Sequence, residues 1–423
     1  MNHQLFNPRG IVLAAIISLA ALGSIAGLSM TKPMPAGADV TNTSSVKQAS
    51  TMNEKLVAAN TKFGFKLFSE ILKKESNQNI FVSPTSVAIA LSMTYNGANG
   101  STQQAIAQTL ELQGMSLDEV NQAQLALSQI LTNPDPKVQL NIANSLWARQ
   151  GINFKPDFLQ RNKDFYQAQI TNLNFNSPNA TATINNWVSQ NTKGKIPTII
   201  DRISPDAVLY LINAIYFKGS WTEEFPKNAT QERPFTLIDG TRKQHPLMSQ
   251  FGRFRYYEND SVQAISLPYG SGRMSMYVFL PKPNTTLQSF YSTLTPENWE
   301  QWIKQFRTRE GSISLPRFKL EYDITLNQTL QALGMGIAFQ DRANFTGMTS
   351  TPVSIDEVKH KTFVEVNEEG TEAAAVTSVG VRATSAMPVD EPFNMVVDRP
   401  FFVAIRDNQT GTLLFMGSIV EPK

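Results

Sequence analysis

Few groups in this chain could do chemistry as they stand. Only His3, His245 and His360 occur, and none stands in H-E-x-x-H or another metal-ligand spacing, so zinc hydrolysis has no ligands to work with. There is no G-x-S-x-G nucleophile elbow, no P-loop and no complete G-x-G-x-x-G. Ser44-Ser45-Val46-Lys47 fits S-x-x-K, but so short a pattern in a Ser/Thr/Asn-rich stretch reads as chance. His360 lies between Val358 and Phe363 in a strand-like run, where a lone imidazole is more often a satisfied structural residue than a base. With no cysteine there is no disulfide, thiolate site or cysteine nucleophile. No enzyme activity and no cofactor are expected.

The elements around this quiet chemistry can be read from periodicity. From Asn53, the residues Leu56, Asn60, Phe63, Leu67 and Ile71 keep the spacing of an amphipathic helix. Ser83-Pro84-Thr85-Ser86 starts a second helix, with Ser83 as cap and Pro84 in the first turn, ended by Asn96-Gly97-Ala98-Asn99-Gly100. Ser101 to Thr132 gives two further helices broken near Gln113-Gly114. Val138 to Arg149 and Val208 to Lys218 read as strands, with a helix over Thr183 to Gln190 between them. Ile265 to Leu267 and Met274 to Leu280 form a hairpin around Gly270-Ser271-Gly272, and Phe401 to Ile405 and Leu413 to Val420 flank the turn-forming run Asp407 to Gly411. Helices early and strands late indicate an α+β fold.

Before the first helix, Arg9, the apolar run Ile11 to Leu28 and the Ala36-x-Ala38 spacing predict an export signal over 1–38, cleaved after Ala38. An uncleaved anchor is the alternative, since the apolar run is long for a signal; a lipoprotein anchor would need a cysteine. Residues 39–52 read as a flexible lead-in, and 53–423 as one domain. Residues 1–38 hold two bases and no acid, so 37 basic residues fall to 35 against 35 acidic ones. A neutral mature chain has no general electrostatic reason to bind nucleic acid or a membrane surface.

The most informative stretch is Val364-Glu365-Val366-Asn367-Glu368-Glu369-Gly370-Thr371-Glu372-Ala373-Ala374-Ala375, followed by a small, polar and β-branched run to about Pro388. Glu365 to Ala375 resembles the hinge of the serpins. The likeness continues in Asn79 to Val87, Leu211 to Trp221, Leu315-Pro316-Arg317-Phe318, Phe345-Thr346-Gly347-Met348, His360-Lys361 and Asp398 to Phe402. It implies a helical shell around three mainly antiparallel or mixed sheets, with an exposed reactive loop over about 368–392. It also implies a mechanism. A serine or cysteine protease attacks the loop, the cut loop inserts as a new central strand before the acyl bond hydrolyses, and the protease is trapped covalently on a monomeric inhibitor. Serpin loop insertion is itself a standard example of strand addition and of released strain.

The loop residues fit that mechanism on their own terms. Side chains on a strand alternate faces, so an inserting strand needs an uncharged face at every second position. Positions 371, 373, 375, 377, 379 and 381 read Thr, Ala, Ala, Thr, Val, Val, while Glu372 and Arg382 fall on the other set. Ala- and Gly-bearing composition is poor for an ordinary permanent strand. A non-inhibitory serpin acting as chaperone, carrier or storage protein is the alternative; bulky, charged or proline hinge residues often mark such members, and Thr371 with Ala373, Ala374 and Ala375 departs from that pattern.

Within the resemblance, the residue sixteen beyond Glu368 precedes the scissile bond, which gives Thr384-Ser385 and suits a small, uncharged protease pocket. Arg382-Ala383 is the alternative, because trypsin-like pockets hold an acid for a basic side chain. The far side of the loop, Met387 to Asp398, is somewhat long. The resemblance further puts Ser83, Ser86, Asn213 and His360 under the central sheet where it parts, and Trp221 with Glu368 at the top where insertion starts. Many animal serpins respond to sulfated polysaccharides through a basic helix in the region matching 101–136; this span has no Lys or Arg, so no such site is expected. The compartment expected is extracellular or periplasmic.

Overall fold

The chain is described here by a computed structural model covering residues 40–132, 135–371 and 391–423, with side chains in the first helix from Glu54 onward. The signal (1–38), the hinge residues Glu372, Ala373, Ala374 and Ala375, and both reactive bonds, Thr384-Ser385 and Arg382-Ala383, lie outside the described residues.

From Val40 the described chain runs through helices α1 (Val40–Glu75), α2 (Pro84–Tyr95), α3 (Gly100–Thr109) and α4 (Leu117–Leu131), with the short strand β1 (Ile80–Val82) between α1 and α2. Helix α1 begins well before the apolar period at Asn53, which corrects the flexible reading of 40–52. That stretch contains neither proline nor glycine, so nothing in its backbone stops the helix. The start of α2 has local causes: Ser83 accepts from the Ser86 amide at 3.3 Å and Pro84 occupies the first turn, where its missing N–H costs nothing. Helix α4 carries a reciprocal capping box between Ser116 and Glu119.

Then come β2 (Val138–Arg149), α5 (Pro156–Tyr166), β3 (Gln169–Leu173), α6 (Ala180–Asn191), β4 (Leu209–Ser220), β5 (Gln231–Thr236), β6 (Arg242–Glu258), β7 (Val262–Tyr269) and β8 (Met274–Pro281). Helices α7 (Leu287–Thr293) and α8 (Pro296–Gln305) precede β9 (Arg307–Pro316), β10 (Phe318–Thr325) and the short α9 (Asn327–Leu330). Strands β11 (Glu357–Asn367), β12 (Gly370–Thr371), β13 (Phe393–Val396), β14 (Phe401–Asp407) and β15 (Leu413–Ile419) complete the described chain.

The strands join in two networks. One has six strands in the order β10-β11-β12-β4-β2-β3; the other has nine, running β1-β15-β14-β8-β7-β6-β9-β13 with β5 added to β6. The resemblance implies three sheets. Two of them merge because the 17-residue β6 pairs β5 through its first residues, β9 through its middle and β7 through its last four. The six-stranded sheet has apolar packing on both faces. Leu209, Leu211, Ile215 and Phe217 of β4 point into the main core, and Tyr210, Ile212, Ala214 and Tyr216 into a smaller one closed by Ile184 and Val188 of α6. Burial on both faces explains why β4 reads as an apolar run without alternation.

Candidate functional site

The centre of the six-stranded sheet contains an unusual junction. Glu357 to Phe363 of β11 pair in parallel with Tyr210 to Tyr216 of β4, so for seven positions the two strands touch directly. Above that zone they separate. The two residues of β12 lie between them, antiparallel to both: Thr371 faces Val366 and Gly219, and Gly370 faces Asn367 and Ser220. Gly370 and Thr371 therefore form a two-residue wedge in the top of the sheet.

Glycine is required at that wedge. Gly370 has φ +150°, and a Cβ there would stand 2.1 Å from the Gly219 carbonyl oxygen. Thr371 is fully buried, and its hydroxyl meets the Tyr269 hydroxyl at 2.6 Å. Burial pushes the Tyr269 phenol up, so it stays protonated as a hydrogen-bonding partner. Behind it the Trp221 ring stacks on Tyr269 with centroids 4.4 Å apart. Trp221 also holds the chain entering the wedge: its indole N–H donates to the Asn367 carbonyl at 2.9 Å and its amide to the Glu369 carbonyl at 2.9 Å.

Glu368 closes the wedge from the side. Its carboxylate accepts from Arg317, with Nε at 2.8 Å, and from the Thr230 hydroxyl, while its carbonyl accepts from the Phe225 amide at 2.9 Å. Burial works to raise the Glu368 carboxyl, but the Arg317 and Thr230 hydrogen bonds outweigh it and hold the group below the usual carboxylate range. Glu369 pairs with Lys227 at the exposed edge.

The lower, closed part of the β4–β11 line carries a buried polar cluster at its middle. Asn213 and His360 stand opposite each other in the parallel pair. The His360 Nε2 accepts from the Ser83 amide at 3.0 Å, so the proton resides on Nδ1, which donates to the Asn213 carbonyl oxygen. The Asn213 amide nitrogen donates to the Ser86 carbonyl at 3.1 Å, and also to the Ser86 hydroxyl and Asn144. Full burial drives the His360 pKa down to about 3, so the ring is neutral at physiological pH. Ser83, Ser86, Asn213 and His360 thus form one hydrogen-bonded chain linking the start of α2 to both strands that flank the line.

The serpin (serine protease inhibitor) family profile matches residues 58–422. The chain belongs to the serpin family.

This serpin is 36% identical to human leukocyte elastase inhibitor over 383 residues, covering 87% of this chain and all of that protein. Among solved structures it resembles tengpin, a thermophilic serpin in its native state, with TM-score 0.80 and 33% identity over 87% of this chain and 94% of tengpin. It also resembles human thyroxine-binding globulin in complex with thyroxine, with TM-score 0.82 and 26% identity over 88% of this chain and all of that one. Serpins are in general protease inhibitors and not enzymes.

Sequence reasoning missed several partners. Arg317 appears there only as part of a motif, yet it supplies the cation for Glu368; Thr230, Tyr269 and Asn144 carried no signal. A buried glutamate following a strand demands a partner, and that demand was the available hint. Which cation answers it depends on a contact across 51 residues of sequence.

Proposed function

We propose that this serpin inhibits serine endopeptidases as a suicide substrate, with insertion of the cut loop between β4 and β11. The observation that carries the reading is the two-residue wedge, antiparallel to both neighbours above a closed parallel pair. Extending its register down the sheet would put residues 373, 375, 377, 379 and 381 opposite Phe217, Ile215, Asn213, Leu211 and Leu209. Thr371 opposite Gly219 is already buried in that register. The small uncharged set, Ala373, Ala375, Thr377, Val379 and Val381, then faces the main core, and the Thr377 hydroxyl comes between Asn213 and His360. Glu372 falls beside Lys218 on the opposite face.

The energetics favour the inserted state. One parallel ladder, with its slanted bonds, is exchanged for two antiparallel ones, which are somewhat more stable per residue. The chemistry is a single acyl transfer. The protease serine oxygen attacks the carbonyl of Thr384, or of Arg382 in the alternative, an ester forms, and the amine of Ser385 or Ala383 leaves with the protease histidine's proton. The 14 residues from Thr371 to Thr384 would then carry the acyl-enzyme about 46 Å at ~3.3 Å per residue. Displacement on that scale deforms the protease before water can cleave the ester.

A carrier role, suggested by the likeness to thyroxine-binding globulin, is the second reading. The small residues of the hinge favour inhibition over it. Export is part of the proposal, with residues 1–38 removed after Ala38; N-terminal sequencing of protein recovered outside the cytoplasm tests that step, and a start at Met1 contradicts it. For insertion, the test is limited proteolysis within 372–390 followed by thermal unfolding. Insertion predicts a midpoint higher by about 10 °C or more, the equivalent of several kcal/mol for a domain of this size. An unchanged or lower midpoint contradicts it.

A further inference from the structure

Away from the β4–β11 line, a cavity of about 540 Å³ opens between the β6–β7 turn, the segment after β8, and helices α7 and α8. None of its eleven lining residues is charged. We propose that this cavity binds a neutral saccharide unit.

The polar atoms around it are preset. Ser292 Oγ donates to the Ser289 carbonyl at 2.7 Å and Thr293 Oγ1 to the Phe290 carbonyl at 2.7 Å, so both hydroxyl hydrogens are committed and their lone pairs remain as acceptors. The Asn298 amide nitrogen donates to the Thr293 carbonyl at 2.8 Å, which leaves its oxygen as a third acceptor. The fixed donor is the Trp302 indole N–H. Trp302 is only 8% exposed and borders the cavity, yet among the described residues no acceptor meets its N–H. The N–H itself is open to solvent rather than buried, so it is available to donate to a ligand oxygen. Phe290 stacks on Trp302 with centroids 5.7 Å apart and gives the site an apolar backing.

These features select a ligand class. Phosphates, sulfates and carboxylates find no cation, and a metal ion finds no carboxylate. An aliphatic ligand would leave the hydroxyl and amide oxygens unpaired. A pyranose presents hydroxyls that both donate and accept around an apolar ring face, and the volume lies within the ordinary range for small-ligand sites.

The test is calorimetric titration of the full-length protein with maltose and cellobiose, each beside its longer oligomer, maltoheptaose and cellohexaose, and with inorganic phosphate as the charged control. At least one neutral sugar should bind at one-to-one stoichiometry, and phosphate should not. Binding of the disaccharide and oligomer with equal affinity assigns a free sugar; tighter binding of the oligomer assigns a polysaccharide chain. Trp302→Phe keeps the ring and removes the donor, and should weaken binding about tenfold, the worth of one well-placed hydrogen bond. Ser292→Trp, placed at an exposed position on the rim, should abolish binding with the thermal midpoint unchanged. No binding of any of the four sugars at 10 mM (about 3 kcal/mol or less of affinity), or binding that both variants leave untouched, overturns the proposal.

Discussion

The two strand networks solve opposite problems. In the nine-stranded one, the contact of β8 and β14 with α7 and α8 is a continuous aromatic cluster: Phe279 touches the rings of Phe290, Trp299, Trp302 and Phe402 at centroid distances of 5.5 to 6.1 Å. In the six-stranded one, the line between β4 and β11 is held at its middle by an amide, an imidazole and two serines. Interdigitated rings cannot slide without opening voids, whereas hydrogen bonds can be passed from one partner to another. The sheet that must stay fixed is locked by shape. The sheet that is proposed to open is held by exchangeable bonds.

The largest effect that separates the two should come from Thr371→Arg. A buried cation without a partner costs roughly 3–5 kcal/mol, so covalent complex formation with a target protease should fall about 100-fold or more, with cleavage of the loop continuing. Complex formation at the wild-type level would mean that insertion does not begin at the wedge. Phe402→Ala tests the other sheet. It should cost about 3–5 kcal/mol in chemical denaturation but leave the proportion of complex to cleaved product unchanged wherever the protein is folded. A shift in that proportion would show that the two sheets do not have separate roles.

Between pH 7 and 5, acid should act on the β4–β11 line through His360. His360 titrates near 3 when folded and near 6.5 when unfolded, so below pH 6.5 the unfolded chain gains a proton that the native state refuses. The stability this neutral ring preserves is complete above pH 6.5 and is lost as pH falls toward 3, by about 2 kcal/mol at pH 5. Denaturation of wild type and His360→Gln across pH 7 to 5 checks it: the variant should show a shallower decline, and parallel declines would remove His360 as the cause. The smallest effect belongs to Glu368→Gln, which keeps an acceptor for Thr230 and loses the charge that Arg317 meets. It should cost about 1 kcal/mol of stability, measured by urea denaturation, because Arg317 is partly open to water.

Much of this architecture was legible in the residues because its signals are local. Ser83-Pro84 marks a helix start, Asp407 to Gly411 a turn, and the 3.6-residue period from Leu56 to Ile71 an amphipathic helix. The alternation after Thr371 is the pattern an inserting strand needs, and it lies outside the described residues. The neighbours of that strand were not legible. Nothing in Glu357 to Phe363 states that it pairs in parallel with Tyr210 to Tyr216, since a largely apolar run such as Tyr210 to Tyr216, buried on both faces, carries no register. The Glu368–Arg317 pair and the Trp221–Tyr269 stack were hidden for the same reason, being products of the assembled sheet. The helical backbone over 40–52 escaped because Ser, Thr and Asn lower helix propensity without forbidding it.

In the proposed mechanism, cleavage of the loop is coupled to capture of the protease. Incubation of this serpin with trypsin and with an elastase-type protease, followed by denaturing electrophoresis and intact mass of the released peptide, measures that coupling directly. A complex that survives boiling in detergent is expected, with a released peptide beginning at Ser385, or at Ala383 if Arg382 is the residue attacked. Cleavage of the loop by several proteases without any covalent complex would contradict it and leave the chain a substrate rather than a trap.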